Sequence, residues 1–122
     1  MDTRYRKDAG DRGEAQALEH LKNAGLTLVQ RNYRCHGGEI DLIMLDQQTL
    51  VFIEVRFRQN QIFGGALASI TSTKQQRIHL AAQRFLQAHR EHRSLKARFD
   101  VVSLEGNAQA PKLSWIKNAF GC

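Results

Sequence analysis

Cysteine is scarce in this chain. Cys35 and Cys122 stand alone without CxxC spacing, too few for a disulfide framework or a zinc site, so both are expected to be reduced and incidental. Long apolar runs are missing as well. Nothing approaches the roughly eighteen consecutive apolar residues of a membrane span, and the N-terminus lacks the basic-then-apolar order of a signal segment. The chain is therefore expected neither to span a membrane nor to be exported, which leaves the cytoplasm. His89 and His92 lie three apart beyond a helical run, with no thiol near them and too few groups for a ligand set, so they read as solvated side chains rather than ligands. Internal repeats and low-complexity segments are absent too.

What is present suits one compact domain: 122 residues, 42% of them hydrophobic. Residues 1–10, with Arg4, Tyr5, Arg6 and Lys7 and almost nothing to bury, read as a mobile basic arm, and 11–122 as a single domain. The formal charge is +6 and the pI about 9.8, which points to a polyanionic partner, nucleic acid first.

The most informative stretch is Gly37 to Arg58, a β-hairpin turning at Asp46-Gln47-Gln48-Thr49. A two- or four-residue loop sets Leu45 opposite Leu50, Ile43 opposite Phe52, Asp41 opposite Glu54 and Glu39 opposite Arg56. By alternation one face carries Ile40, Leu42, Met44, Val51, Ile53, Val55 and Phe57 and must meet the core. The other is apolar near the turn, with Ile43, Leu45, Leu50 and Phe52, and charged at its far end, with Glu39, Asp41, Glu54, Arg56 and Arg58. Two carboxylates facing each other at roughly 5 Å destabilise a sheet unless a cation intervenes. Two readings stay open: a charge-balanced rim, in which the glutamates pair with Arg56 and Arg58, or a site for a divalent cation such as Mg²⁺ or Mn²⁺ held by hard oxygens.

Around the hairpin the pattern is regular. A first helix is expected from Asp11 to about Ala24, stopping at Gly25, with Glu14 on the stripe of Leu18 and Leu21. A capping box, Asp11-x-x-Glu14, is the structural alternative for that glutamate. Thr27 to Cys35 reads as a strand bearing Arg31 and Arg34, and Gln59 to Thr71, with Phe63-Gly64-Gly65, as a glycine-bearing loop. A second helix begins near Ser72, with Ser72-x-x-Gln75 as its capping box, and runs to about His89 with Ile78, Ala81, Ala82 and Phe85 buried. Lys74 lies in line with that stripe and can reach the strand ends, while Arg77 and Arg84 suit a basic flank. Ala97 to Leu104 is expected to join the sheet parallel to the second hairpin strand by a right-handed crossover. Asp100 in it reads as an ion-pair partner of Arg98, and a last short strand carries Leu113, Trp115 and Ile116.

Asp41, twelve intervening residues and Glu54-Val55-Arg56 together resemble the Asp…(Asp/Glu)-x-Lys signature of the PD-(D/E)XK nuclease superfamily. With Gly13-Glu14-Ala15, Arg31-Asn32-Tyr33-Arg34, Gly38-Glu39-Ile40-Asp41-Leu42-Ile43, Phe63-Gly64, Lys74 and Arg98-Phe99-Asp100-Val101-Val102, the chain resembles the YraN family of small bacterial proteins, related to archaeal Holliday-junction resolvases. The likeness covers about residues 10 to 104.

The resemblance implies an α/β, restriction-endonuclease-like αβββαβ core, a mixed sheet flanked by helices. It also implies a Mg²⁺- or Mn²⁺-dependent endonuclease acting on DNA phosphodiesters, at branched or otherwise structured substrates. Glu14, Asp41 and Glu54 would then hold the metal, and Arg56 and Lys74 would complete the catalytic set. Arg31, Arg34, Arg58 and Arg77 would contact nucleic acid, DNA in preference to RNA. Arg56 stands where the signature has lysine, and a guanidinium does not readily give up a proton. That departure keeps alive an alternative, a nucleic-acid-binding protein of the same fold that cleaves nothing. A regulatory subunit docking a partner through an exposed Trp115 tail is a third class, and homodimerisation is left open.

Overall fold

The computed structural model describes residues 3–58, 70–106 and 110–121, with side chains in the first stretch described for 13–57. Helix α1 (Thr3–Asn23) leads into strands β1 (Thr27–Cys35), β2 (Gly38–Asp46) and β3 (Thr49–Arg58). Helix α2 (Ser72–Ala88) and a 3-10 turn (Arg90–His92) follow, then β4 (Lys96–Glu105) and β5 (Lys112–Phe120). The five strands form one sheet in the order β1-β2-β3-β4-β5. All neighbours are antiparallel except β3 and β4, which run parallel from Thr49–Lys96 to Arg58–Glu105 across the α2 crossover. This mixed α/β architecture with two helices agrees with the restriction-endonuclease-like core expected. No helix among the described residues is long and apolar enough to cross a membrane.

The helices take opposite faces of the sheet. Ala17, Leu18 and Leu21 of α1 pack on Leu42, Met44, Val51, Ile53 and Val102. Ile78, Ala81, Ala82 and Phe85 of α2 pack on Ile43, Leu50, Phe52 and Phe99. Burying each large apolar side chain contributes roughly 1.5–3 kcal/mol, so these two layers fix the sheet and leave its polar end to other work.

Several expectations need correction. Helix α1 starts at Thr3, not Asp11, because Arg, Lys and Ala in that stretch favour helix and no proline interrupts them. Asp11 is thus inside the helix and is not its N-cap. The cap of α2 is Thr71 rather than Ser72. Thr71 is extended (φ −65°, ψ 164°), its hydroxyl accepts the Lys74 amide at 3.2 Å, and Gln75 Nε2 turns back to the Ile70 carbonyl.

Ile40 joins the α2-side cluster instead of the α1-side set with Leu42 and Met44. The departure falls where the β2–β3 ladder ends at Leu42–Ile53, and the neighbouring β1 carries a bulge between Leu28 and Gln30 and a left-handed Asn32 (φ +52°). Trp115 is half-buried against the α1-side cluster, with its ring edge-on to His20, so it is not a free docking side chain. The loop 59–69 and the Arg58 side chain lie outside the described residues.

Candidate active site

The site is built at the end of the hairpin far from its turn. A two-residue turn with Gln47 at φ +57° sets the expected register, and the described ladder runs from Asp46–Thr49 to Leu42–Ile53. One step further, Asp41 Oδ2 accepts the Val55 N–H at 2.8 Å. A carboxylate thus reaches across to the backbone of the next strand, which brings Asp41 beside Glu54.

Glu54 is only 5% exposed, and its carboxyl lies close enough to that of Asp41 for the two to interact strongly. Burial raises the Glu54 pKa to about 8, with the Asp41 charge adding to the rise and Lys74 and Arg56 opposing it. Burial also raises Asp41, against the Val55 N–H, its contact with Glu54 and the Lys74 charge. Both shifts run the same way, so the two acids together hold a proton more tightly than free carboxyls do.

Two cations stand by. Lys74 Nζ is 3.5 Å from Glu54 Oε1 and 3.8 Å from Glu39 Oε1, and the Arg56 guanidinium is 3.9 Å from Glu54 Oε1. Lys74 arrives because the Thr71 cap fixes the first turn of α2 over the strand ends. A positive charge in that first turn opposes the helix dipole, so local helix stability does not account for it.

Glu14 is set by close packing. A Cβ on Gly13 would meet Leu104 Cδ1 at 3.0 Å and Phe57 Cβ at 3.6 Å, which seats α1 on the C-terminal ends of β3 and β4. Glu14 itself is 8% exposed, with Oε1 3.3 Å from an Arg31 Nη atom. Asp41, Glu54, Arg56 and Lys74 are thus brought together, while Glu14 sits with Arg31. Among the described residues no group of three or more His, Cys, Asp or Glu forms a metal-holding cluster.

The donor set at the pair nevertheless suits a hard divalent cation. Two carboxyls crowded enough to retain a proton gain from a positive charge, and Mg²⁺ is commonly held by one or two carboxylates with waters and phosphate oxygens. Of the expected phosphate contacts, Arg31 is engaged by Glu14, Arg34 is 76% exposed and 3.8 Å from Glu39, and Arg77 is exposed. Sequence reasoning left Glu39 out of the site, although its position opposite Arg56 placed it on the same half-face. The Arg31–Glu14 contact spans elements with no shared periodicity and had no signal.

Residues 13–104 match the model described as "Uncharacterised protein family UPF0102". The chain belongs to that family. Its relatives include UPF0102 proteins of Pseudomonas entomophila, 53% identical over 93% of this chain and 94% of the relative, and of Alcanivorax borkumensis, 50% identical over 96% and 94%. A third, from Alkalilimnicola ehrlichii, is 50% identical over 93% and 86%. The UPF0102 match contains every residue of the site and ends at Leu104, before β5.

Proposed function

We propose that this UPF0102 protein is a divalent-metal-dependent endonuclease of the PD-(D/E)XK superfamily that hydrolyses phosphodiester bonds in DNA. One observation carries the reading: half-buried Asp41 and buried Glu54 are held side by side, with Lys74 and Arg56 next to them, where the fold gains nothing from crowding two acids. Asp41 and Glu54 would hold Mg²⁺ or Mn²⁺. When bound, the cation supplies Lewis acidity at a phosphoryl oxygen and a water acidic enough to attack at neutral pH.

The chain's own residues do the rest. Lys74 Nζ, 3.5 Å from Glu54 Oε1, keeps that carboxyl turned into the site. Arg56 stays charged and stabilises the negative charge that grows on the phosphoryl oxygens. Exposed Arg34 and Arg77 supply phosphate contacts that are indifferent to sequence.

The test is incubation with branched, nicked and single-stranded DNA in Mg²⁺ and Mn²⁺, with melting curves alongside. Cleavage that Glu54→Gln abolishes while DNA affinity persists is expected. A cation at about a hundredfold excess over its Kd should add roughly 2.7 kcal/mol of stability. If no DNA or RNA structure is cut, the non-cleaving nucleic-acid-binding protein takes its place, a reading that Arg56 at the lysine position favours.

A further inference from the structure

Between Ser72 and Ala88, α2 carries Lys74, Arg77 and Arg84 and not one carboxylate. A helix surface maintained only for solubility mixes charges and gains from acid–base pairs one turn apart, and this one forgoes them. Lys74 is accounted for by Glu54 and Glu39. Arg77 and Arg84 are exposed, two turns apart, and flank the buried line of Ile78, Ala81 and Phe85.

That flank faces the β1–β2 margin of the sheet. A Cβ on Gly38 would lie 2.4 Å from the Arg77 carbonyl and 3.1 Å from Ala81 Cβ, so the start of β2 is pressed against α2. Arg34, which pairs with Glu39 in the strand register, emerges next to this contact. One turn and more further along, the Tyr33 ring stands edge-on to Phe85 at 5.4 Å. Burial holds the Tyr33 phenol above its usual pKa, and the Arg84 charge opposes the rise.

We infer that the seam between α2 and β1, running from Lys74 past Arg77 to Arg84 with Arg34 alongside, is a track for the phosphate backbone of a nucleic-acid duplex leading away from the Asp41–Glu54 pair. The inference rests on the nuclease reading and adds the shape of its substrate. Lys74 and Arg84 are separated by about 15 Å along the helix, which matches roughly four base pairs of duplex rise. The substrate must therefore continue as duplex at least that far on one side of the cut. Sequence-tolerant binding of single strands relies on exposed aromatic rings that stack bases. On this seam the described rings, Tyr33 and Phe85, are turned into each other, and the outward side chains are Gln76, Arg77, Gln83, Arg84 and Gln87.

The experiment measures binding of the full chain, without divalent cations, to fluorescent duplex DNA, duplex RNA and single-stranded DNA across a salt series. The tighter duplex identifies the source of the backbone. Arg77→Gln with Arg84→Gln should weaken duplex binding about eightfold per arginine at ~0.1 M salt and make the slope of log K against log salt shallower by about 1.8. Arg77→Lys with Arg84→Lys should keep the wild-type slope. Lys22→Gln with Lys112→Gln removes the same charge away from α2 and should leave binding near wild type.

Equal losses in the two glutamine doubles, an unaffected Arg77→Gln/Arg84→Gln protein, or tighter binding of single strands would overturn the track and leave the nuclease reading standing. Failure of the wild type to bind any nucleic acid would remove both.

Discussion

Two neighbouring strands each bury an acid, and the fold treats them differently. Asp100 on β4 is fully buried and pairs with Ile53, one residue from Glu54. It accepts hydrogen bonds from Arg98 Nε at 3.0 Å, from Trp115 Nε1 at 3.0 Å and from the Asn118 amide at 2.9 Å. Arg98 in turn holds Asp46 at 2.9 Å, so the charge is distributed through a network that ties β5 to β4 and β4 to the hairpin turn. Glu54 has instead a second acid beside it, with Lys74 at 3.5 Å and Arg56 at 3.9 Å. Folding can satisfy a buried carboxylate fully within a few residues of a place where it leaves two in conflict. The conflict is therefore not a packing necessity, and it marks the site.

The contrast can be broken from the Asp100 side first. Asp100→Ala leaves Arg98, Trp115 Nε1 and the Asn118 amide short of an acceptor, and urea denaturation should register a loss of about 3–5 kcal/mol. An effect under about 1 kcal/mol would show that β5 docks without the network.

The acid pair should respond next, to pH. Because the folded-state pKa of Glu54 is raised from 4.5 to about 8, the folded chain binds that proton more tightly than the unfolded one. The stabilisation is complete below pH 4.5 and is lost as pH rises through about 8, with a slope of up to about 1.4 kcal/mol per pH unit. Asp41 is shifted in the same direction. The difference in unfolding free energy between wild type and Glu54→Gln, measured from pH 5 to 8.5, isolates this slope. A wild type that tracks the variant throughout contradicts it.

The smallest change is expected for Asp41→Asn, which keeps an oxygen for the Val55 amide and removes one charge. In the absence of divalent cations at pH 7.5 it should gain on the order of 1 kcal/mol. A charge-balanced rim predicts a loss there, because Lys74 would be left with less to pair with.

Much of this was legible in the chain because it follows from short periods. The two-residue turn and strict alternation fixed Leu45 on Leu50 and Ile43 on Phe52. The i, i+3, i+4, i+7 stripe fixed the buried face of α2, and Arg98 beside Asp100 indicated a structural pair. What escaped depended on departures from those periods. The bulge in β1 and the left-handed Asn32 had no signal in strict alternation, and Ile40 lies in the α2-side cluster rather than with Leu42 and Met44. Thr71 outcompeted Ser72 as the cap because its extended backbone put its hydroxyl over the Lys74 amide. The reach of Asp41 to the Val55 N–H arises only where the ladder ends, so pairing arithmetic placed the two acids side by side without revealing how they are held.

Those same departures have a bearing on self-association. An open sheet has two margins, and each is a template for strands of other chains unless something spoils it. On β1 the bulge and Asn32 bend the margin, and the exposed Arg31 and Arg34 add charge. On the opposite side the β4–β5 register slips between Phe99 and Val101, Asn118 is left-handed (φ +53°), and Lys112 and Lys117 are exposed. Both margins are kinked and cationic, so the protein can keep a five-stranded sheet open without inviting strand-by-strand aggregation.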